Sequence, residues 1–471
     1  MRNHAFDFQG CVRLAVIAAG LLVVGAGFPS ARADESDQEQ RELRGTVDPT
    51  IAAALRQIST ARIRADVEKL ASFGTRSTFS AQDDASIKAG RGIGAAREWL
   101  KAELQRYSQE CGGCLQVKTD AFVQPAGPRA PTATQITNVY AVLPGTDPQA
   151  SARIVLVNGH YDSRNTDVND GVADAPGAND DATGTAVSLE SARVLSKLKF
   201  PATIIFLTVA GEEQGLFGSA HFAQMARQQG WNIEAVLNND IVGGDRDPGQ
   251  KPGLVRVFSE GVPLTVTNQE LNQLLSIGGE NDSPSRDLAR YIVETGRTYS
   301  LDVAPTPIYR LDRFLRGSDH ISFNEQGYAA VRFTEYREDF DHQHQNVRVE
   351  NNTQFGDLLR YVDFDYVTRV AQVNAATLAT LALAPAPPQN VVLVTAVLTN
   401  LSTLKWDPTP GASSYEILWR RSSSPEWEHA VEVTDGTTAT LNIAKDNVIF
   451  AVRSLDAQGH RSLESNPVPG T

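Results

Sequence analysis

Short, wholly apolar runs separated by loops and helical stretches constrain this chain more than any other feature. Residues 153–157 and 202–209 are apolar along almost their whole length, the pattern of strands covered on both faces. Each is followed by a loop and then by a helical period, over 185–198 and 219–229 respectively. Residues 236–239 and 328–334 read as further strands, as does 139–143, which stops at Pro144-Gly145. Ahead of them, Ile51, Leu55, Ile58, Ile63, Val67 and Leu70 recur at mostly three- and four-residue steps, predicting one helix over 51–70, and 95–107 predicts another. Such alternation implies an α/β fold: a mainly parallel mixed sheet with helices on both faces.

A proline-rich seam at 384–389 ends that rhythm. Beyond it the pattern becomes strands and turns, over 391–394, 403–406, 415–420, 431–433, 438–441 and 448–453, which predicts a C-terminal all-β sandwich over 390–471. Trp406, Tyr415 and the segment 452–462 fall where a fibronectin type III domain has its core Trp, its strand-C Tyr and its F–G hairpin, so this part resembles that family. Val448 departs from it, standing where the family usually carries its corner tyrosine. At the other end, Arg2 and Arg13 frame a basic start, 14–28 is apolar apart from its glycines, and Ala31-Arg32-Ala33 is a small-x-small cleavage site. Residues 1–33 therefore read as a signal peptide cut after Ala33, which implies a secreted or periplasmic protein. Residues 34–50 form a polar lead-in or pro-segment, leaving 51–383 for the α/β domain. No later stretch approaches the roughly 20 apolar residues that a membrane-spanning helix needs.

Cys11 leaves with the signal, and Cys111 and Cys114 remain. In an exported chain this pair is expected as a disulfide, because no second pair exists to complete a zinc site. The net charge of −13 argues against a nucleic-acid partner, which would call for a basic face.

Chemistry concentrates at the ends of the predicted strands. His160 and Asp162 follow the first buried strand, and Asp180 and Asp181 stand just before a helix. Glu212 and Glu213 follow Gly211 at the end of the second strand, Asp240 closes the third, and Ser318-Asp319-His320 opens a short helix before the fourth. In an open α/β sheet, ligands bind beyond the carboxyl ends of the strands, so these segments are expected to converge. Imidazole nitrogen and carboxylate oxygen suit zinc. Two His and three carboxylates give each of two ions three protein ligands if one carboxylate bridges.

Taken in order, Gly159-His160-Tyr161-Asp162-Ser163, Gly177-Ala178-Asn179-Asp180-Asp181-Ala182-Thr183-Gly184, Gly211-Glu212-Glu213, Asn239-Asp240 and Gly317-Ser318-Asp319-His320 resemble the co-catalytic di-zinc aminopeptidase family of bacterial leucyl aminopeptidases and aminopeptidase Y, over roughly residues 50–380. The resemblance implies two zinc ions, with Asp180 bridging, His160 and Asp240 completing one site, and Glu213 and His320 the other. It makes Glu212 the general base and Asp162 the residue that orients His160. The implied activity is hydrolysis of an N-terminal peptide bond by a metal-bridged hydroxide, on a peptide or protein substrate.

Each piece has a plainer reading. His160 alone would be an ordinary strand-end histidine, Asp181 a helix N-cap, and Glu212-Glu213 a solvated loop. His221 reads as structural. His342 and His344 have the spacing of a metal pair, but with five ligands already supplied they are expected to line the pocket or the surface, as Tyr336 and Arg337 are. A carboxypeptidase or other amidohydrolase on the same centre is the nearest alternative, and a non-catalytic binding or adhesion protein the more distant one. The C-terminal sandwich would then contact a surface or polymer, or act as a spacer.

Overall fold

The computed structural model describes residues 43, 45–244 and 249–471. The signal peptide of 1–33, Cys11 and most of the lead-in lie outside the described residues. Strands β1 (Gln116–Gln124), β2 (Thr134–Leu143), β3 (Arg153–His160), β4 (Thr203–Val209), β5 (Asn232–Asn239), β6 (Leu254–Ser259), β7 (Ala304–Ile308) and β8 (Ala330–Glu335) form one eight-stranded sheet in the order β1-β2-β4-β3-β5-β8-β6-β7. The four central strands β4-β3-β5-β8 run parallel, and antiparallel pairs join β1 to β2, β2 to β4 and β6 to β8. The expected mainly parallel mixed sheet is the observed one.

The helices are α1 (Pro49–Leu55), α2 (Thr60–Ala71), α3 (Asp84–Lys88), α4 (Gly92–Glu110), α5 (Ala182–Leu195), α6 (Glu212–Gly215), α7 (Phe217–Gln228), α8 (Asn268–Ile277), α9 (Pro284–Thr298), α10 (His320–Asn324) and α11 (Phe364–Leu383). One large apolar core joins the sheet to α2, α4, α5, α9 and α11, and a second joins its other face to α7 and α10 through Phe222 and Phe323. The single helix expected over 51–70 is in fact α1 and α2. Ser59 interrupts it, because its side chain caps α2 by accepting from the Arg62 amide.

Register sets the site. His160 pairs with Val209 and Asn239 with Phe333, so β3, β4, β5 and β8 end side by side. Gly159 lets α5 close on β3 there, since a Cβ at that position would lie 2.4 Å from the Gly184 carbonyl carbon. Asn239 and Asn374 exchange reciprocal amide hydrogen bonds of 2.9 and 2.8 Å, tying the end of β5 to α11 inside the core.

After a hairpin of β9 (Arg348–Glu350) and β10 (Thr353–Phe355), the chain past α11 forms two further sheets. One holds β11 (Val392–Val394), β12 (Ser402–Lys405), β15 (Thr438–Leu441) and β17 (Val468–Gly470), the other β13 (Ser414–Arg421), β14 (His429–Val433) and β16 (Val448–Leu455). Trp406 and Tyr415 share a core with Leu404, Ile417 and Val452. This unit is bonded to the α/β body. Arg420 Nη2 reaches Asp282 Oδ1 at 2.5 Å, Arg453 Nη1 reaches Glu294 Oε2 at 2.6 Å, and the Pro425 carbonyl accepts from Arg290 and Tyr309. The seam is held as well: the Ala384 carbonyl accepts from Arg153 and the Ala386 carbonyl from Ser454. Among the described residues no helix is long and apolar enough to cross a membrane.

Candidate metal centre

Two triads of ligand-type atoms meet at the carboxyl ends of the central strands: His160, Glu212 and Asp240 in one, Asp180, Glu213 and His344 in the other. Asp180 lies between them. Its Oδ1 is 3.2 Å from His160 Nε2, and its Oδ2 is 2.9 Å from His344 Nε2. His344 Nε2 is also 3.0 Å from Glu213 Oε2, and His160 Nε2 is 3.9 Å from Asp240 Oδ1.

Of the five ligand positions expected from sequence, His160, Asp180, Glu213 and Asp240 are gathered here and His320 is not. His320 begins α10 with its Nε2 turned to the Leu311 carbonyl at 2.9 Å, and neither triad includes it. The second imidazole comes instead from His344, on a loop without regular structure where its own φ is +58°. His342 stacks on Tyr361 at 3.6 Å between ring centroids. Proximity in space, not spacing in sequence, therefore selects His344 from the pair.

Each side chain is locally fixed. His160 ends β3 and directs Nδ1 to the Asp162 carbonyl at 3.1 Å, with the Asp162 carboxylate 3.4 Å away. The same carboxylate accepts from the amides of Glu212 and Glu213, so Asp162 touches the histidine and the glutamate turn together. That turn starts at Gly211, whose φ of +81° suits glycine and whose absent Cβ would crowd Ile136 and Phe217 at 3.1 Å. Asp181 caps α5 through Gly184 and also accepts from the His160 and Ile241 amides. Asp240 accepts from Ser318 Oγ and pairs with Arg332 at 3.2 Å.

Several contributors carried no signal in the sequence reading. Asp357 accepts from the amides of Asn179 and Asp180 at 2.7–3.0 Å, and so holds the bridging segment in place. Arg76 spreads its buried guanidinium over the carbonyls of Tyr161, Leu70, Pro176 and Gly177. Gln343, next to His344, donates to Asp180 Oδ2 at 3.1 Å. Away from the centre, His221 stacks on Phe122, and Cys111 and Cys114 are disulfide-bonded.

The electrostatics favour a cation. Burial raises the Glu212 and Asp181 carboxyls well above their usual range, and lifts Asp319 and Asp357 to about 7. Burial also works to raise Asp180, but the two imidazoles beside it hold it well below the ordinary value. Burial would lower His344, yet Glu213 and Asp180 drive it up to about 10. His160 Nε2 and Glu213 Oε1 are buried and make no hydrogen bond, and each side chain belongs to one of the two triads. A concentration of buried carboxylates around two imidazoles, with ligand atoms left without hydrogen bonds, fits divalent cations held by imidazole and carboxylate.

An open, mostly parallel α/β sheet carries paired imidazole–carboxylate triads at its strand ends, the donor set of a metal-dependent enzyme. The profile of peptidase family M28 matches residues 138–362. A probable zinc metalloprotease of Pyricularia oryzae is 46% identical over 434 residues, covering 90% of this chain and 85% of its own length. Another, of Leptosphaeria maculans, is 44% identical over 432 residues, covering 91% of this chain and 99% of its own. This chain belongs to peptidase family M28. Among solved structures, the LapA aminopeptidase of Legionella pneumophila shares the fold at a TM-score of 0.50 and 21% identity, over 77% of this chain and 80% of that one.

Proposed function

We propose that this protein is an exported aminopeptidase that holds two zinc ions and releases residues from the N-terminus of peptides. The observation that carries it is Asp180, with one oxygen facing His160 and the other His344, each in a separate triad. His160 and Asp240 would hold one ion, Glu213 and His344 the other, with Asp180 shared. The ions, when bound, supply Lewis acidity and lower the pKa of water at the centre.

The protein's own groups do the rest. Glu212 is half-buried beside His160 and Asp240, and its raised carboxyl suits a base that takes a proton from the attacking water and returns it to the leaving amine. Asp162 keeps His160 and the Glu212-Glu213 turn in register through its hydrogen bonds. Asp357 fixes the Asp180 backbone so that both of its oxygens stay presented. Aminopeptidase activity is supported by the fold shared with LapA, and zinc by the names of the Pyricularia and Leptosphaeria relatives. The basic, apolar and small-residue pattern of residues 1–33 and the 111–114 disulfide support export. The paired Trp406 and Tyr415 rings, 5.3 Å apart, support a fibronectin-like reading of the C-terminal sheets.

The test is hydrolysis of an amino-acyl anilide beside an N-blocked peptide with a free carboxyl end, before and after chelation and zinc return. Zinc-restored cleavage of the anilide alone is the expected result. Cleavage of the blocked peptide alone would make the enzyme a carboxypeptidase.

A further inference from the structure

A cavity of about 630 Å³ opens between the loop after β7 and the segment that leads from β8 to His344. Arg313, Phe314 and Arg316 line one side, Arg337, Glu338 and Phe340 the other. A ladder of alternating charge connects it to the metal centre. Asp240 Oδ1 meets Arg332 Nη2 at 3.2 Å, and Arg332 Nη1 meets Asp312 Oδ1 at 2.9 Å. Arg313 Nε meets that same oxygen at 3.0 Å, and Arg313 Nη1 meets Glu338 Oε2 at 3.0 Å. The ladder ends at Arg316, whose Nη1 reaches Glu338 Oε2 at 2.8 Å.

Asp240, Arg332, Asp312 and Glu338 are buried and Arg313 nearly so, whereas Arg316 reaches solvent. Its side chain is 34% exposed, its Nε and Nη2 have no hydrogen-bond partner among the described residues, and its guanidinium lies 5.7 Å from the Phe340 ring. Phe314 and Phe340, which also line the cavity, are exposed by 75% and 62%. Among the described residues, the guanidiniums of Arg256, Arg313, Arg316 and Arg337 and the carboxylates of Glu338, Asp339 and Asp341 line the cavity. A part-exposed guanidinium with Nε and Nη2 left over from its Glu338 pairing, beside an aromatic ring, matches a planar carboxylate.

We infer that this cavity is a substrate subsite for a carboxylate, either an acidic side chain a few residues past the cleaved bond or the free C-terminus of a short peptide, bound by Arg316. The inference rests on the peptidase reading above. Residues 336–341 line the cavity and run on to His344, so the cavity lies along the segment that brings the second imidazole to the metal centre.

Matched peptides test it, with Glu replacing Gln at each of positions two to four, and with a free carboxylate replacing a C-terminal amide. The expected result is a kcat/KM ratio of acid over amide of about fivefold at one position or at the C-terminus, carried by KM, as for a partly exposed ion pair. The arm that shows the ratio identifies the source of the carboxylate. In Arg316→Gln the ratio falls to about one, and in Arg316→Glu it inverts. In the native enzyme raised salt shrinks the ratio, a readout that needs no variant. A native ratio near one at every position, or a preference for Leu over both Glu and Gln, overturns the subsite and leaves the peptidase standing. Absence of any peptide hydrolysis by the zinc-loaded protein removes both.

Discussion

Replacing His344 with Ala separates the ligand set found in the structure from the one expected from the sequence. His344 Nε2 stands 2.9 Å from Asp180 and 3.0 Å from Glu213, so its loss leaves the second triad with two carboxylates. A structural zinc with four ligands is worth roughly 10–16 kcal/mol in apparent binding free energy, or about 2.5–4 kcal/mol per ligand. Removing one imidazole should therefore weaken the second ion by about two to three powers of ten. The first ion, held by His160 and Asp240, should stay. Competition with a fluorescent chelator, followed by metal analysis after dialysis, should give two tight ions for the native protein and one for His344→Ala. His320→Ala is the control. Its imidazole binds the Leu311 carbonyl, so two tight ions are expected and only fold stability should suffer. If His344→Ala keeps both ions at native affinity while His320→Ala loses one, the assignment of the second triad is wrong.

Glu212→Gln should lower kcat by about 10²- to 10⁴-fold, the usual contribution of a general base, while metal content stays at the native value; a loss of one ion would make Glu212 a ligand instead. Glu338 is held near pKa 2, because three arginine contacts outweigh a burial that alone would raise it. Its folded-state pKa lies below the ordinary 4.5, so its contribution is full above pH 4.5 and is lost as pH falls through about 2. Glu338→Gln should accordingly destabilise the protein by about 3 kcal/mol at pH 7, with the difference vanishing near pH 2, as read from urea midpoints across that range. A difference that does not change with pH would refute the charge argument. Arg420→Ala leaves Asp282 without one of its two buried arginine partners, since both ends of the pair are under 5% exposed. A loss of about 3 kcal/mol is expected in thermal or chemical unfolding, and a variant as stable as the native chain would show the C-terminal unit to be loosely attached.

What the sequence made legible followed from periodicity and local order. Apolar runs covered on both faces announced β3 and β4, and the residues just past them had to lie at one sheet edge because parallel strands end together. Edge elements were less visible. β1 has a single buried position, Asp120, and β6 and β7 are short, so none of them produces a continuous apolar run. α11 is apolar nearly all round and buried, which erases the stripe that marks an amphipathic helix.

The histidine of the second triad leaves little trace in the sequence for a related reason. Ser318-Asp319-His320 stands before a strand, where a ligand is expected, and it is indeed near the centre: Ser318 donates to Asp240 and Asp319 accepts from Asn158. His344 lies on a loop whose path is set by tertiary contacts, among them Gln343 to Asp180 and Asn346 to Thr166. No period predicts such a path. The available signal was chemical: Asp341-His342-Gln343-His344 places two imidazoles beside a carboxylate in a segment with no apolar pattern of its own. A histidine pair in a polar loop has little structural work to do in a core, so the chemistry of the pair is the trace it leaves in the sequence. The same reasoning applies to Arg316, the one exposed end of a buried charge ladder that reaches back to Asp240. A ladder of this kind transmits position but carries no periodic trace, because each rung is set by the partner it meets in space.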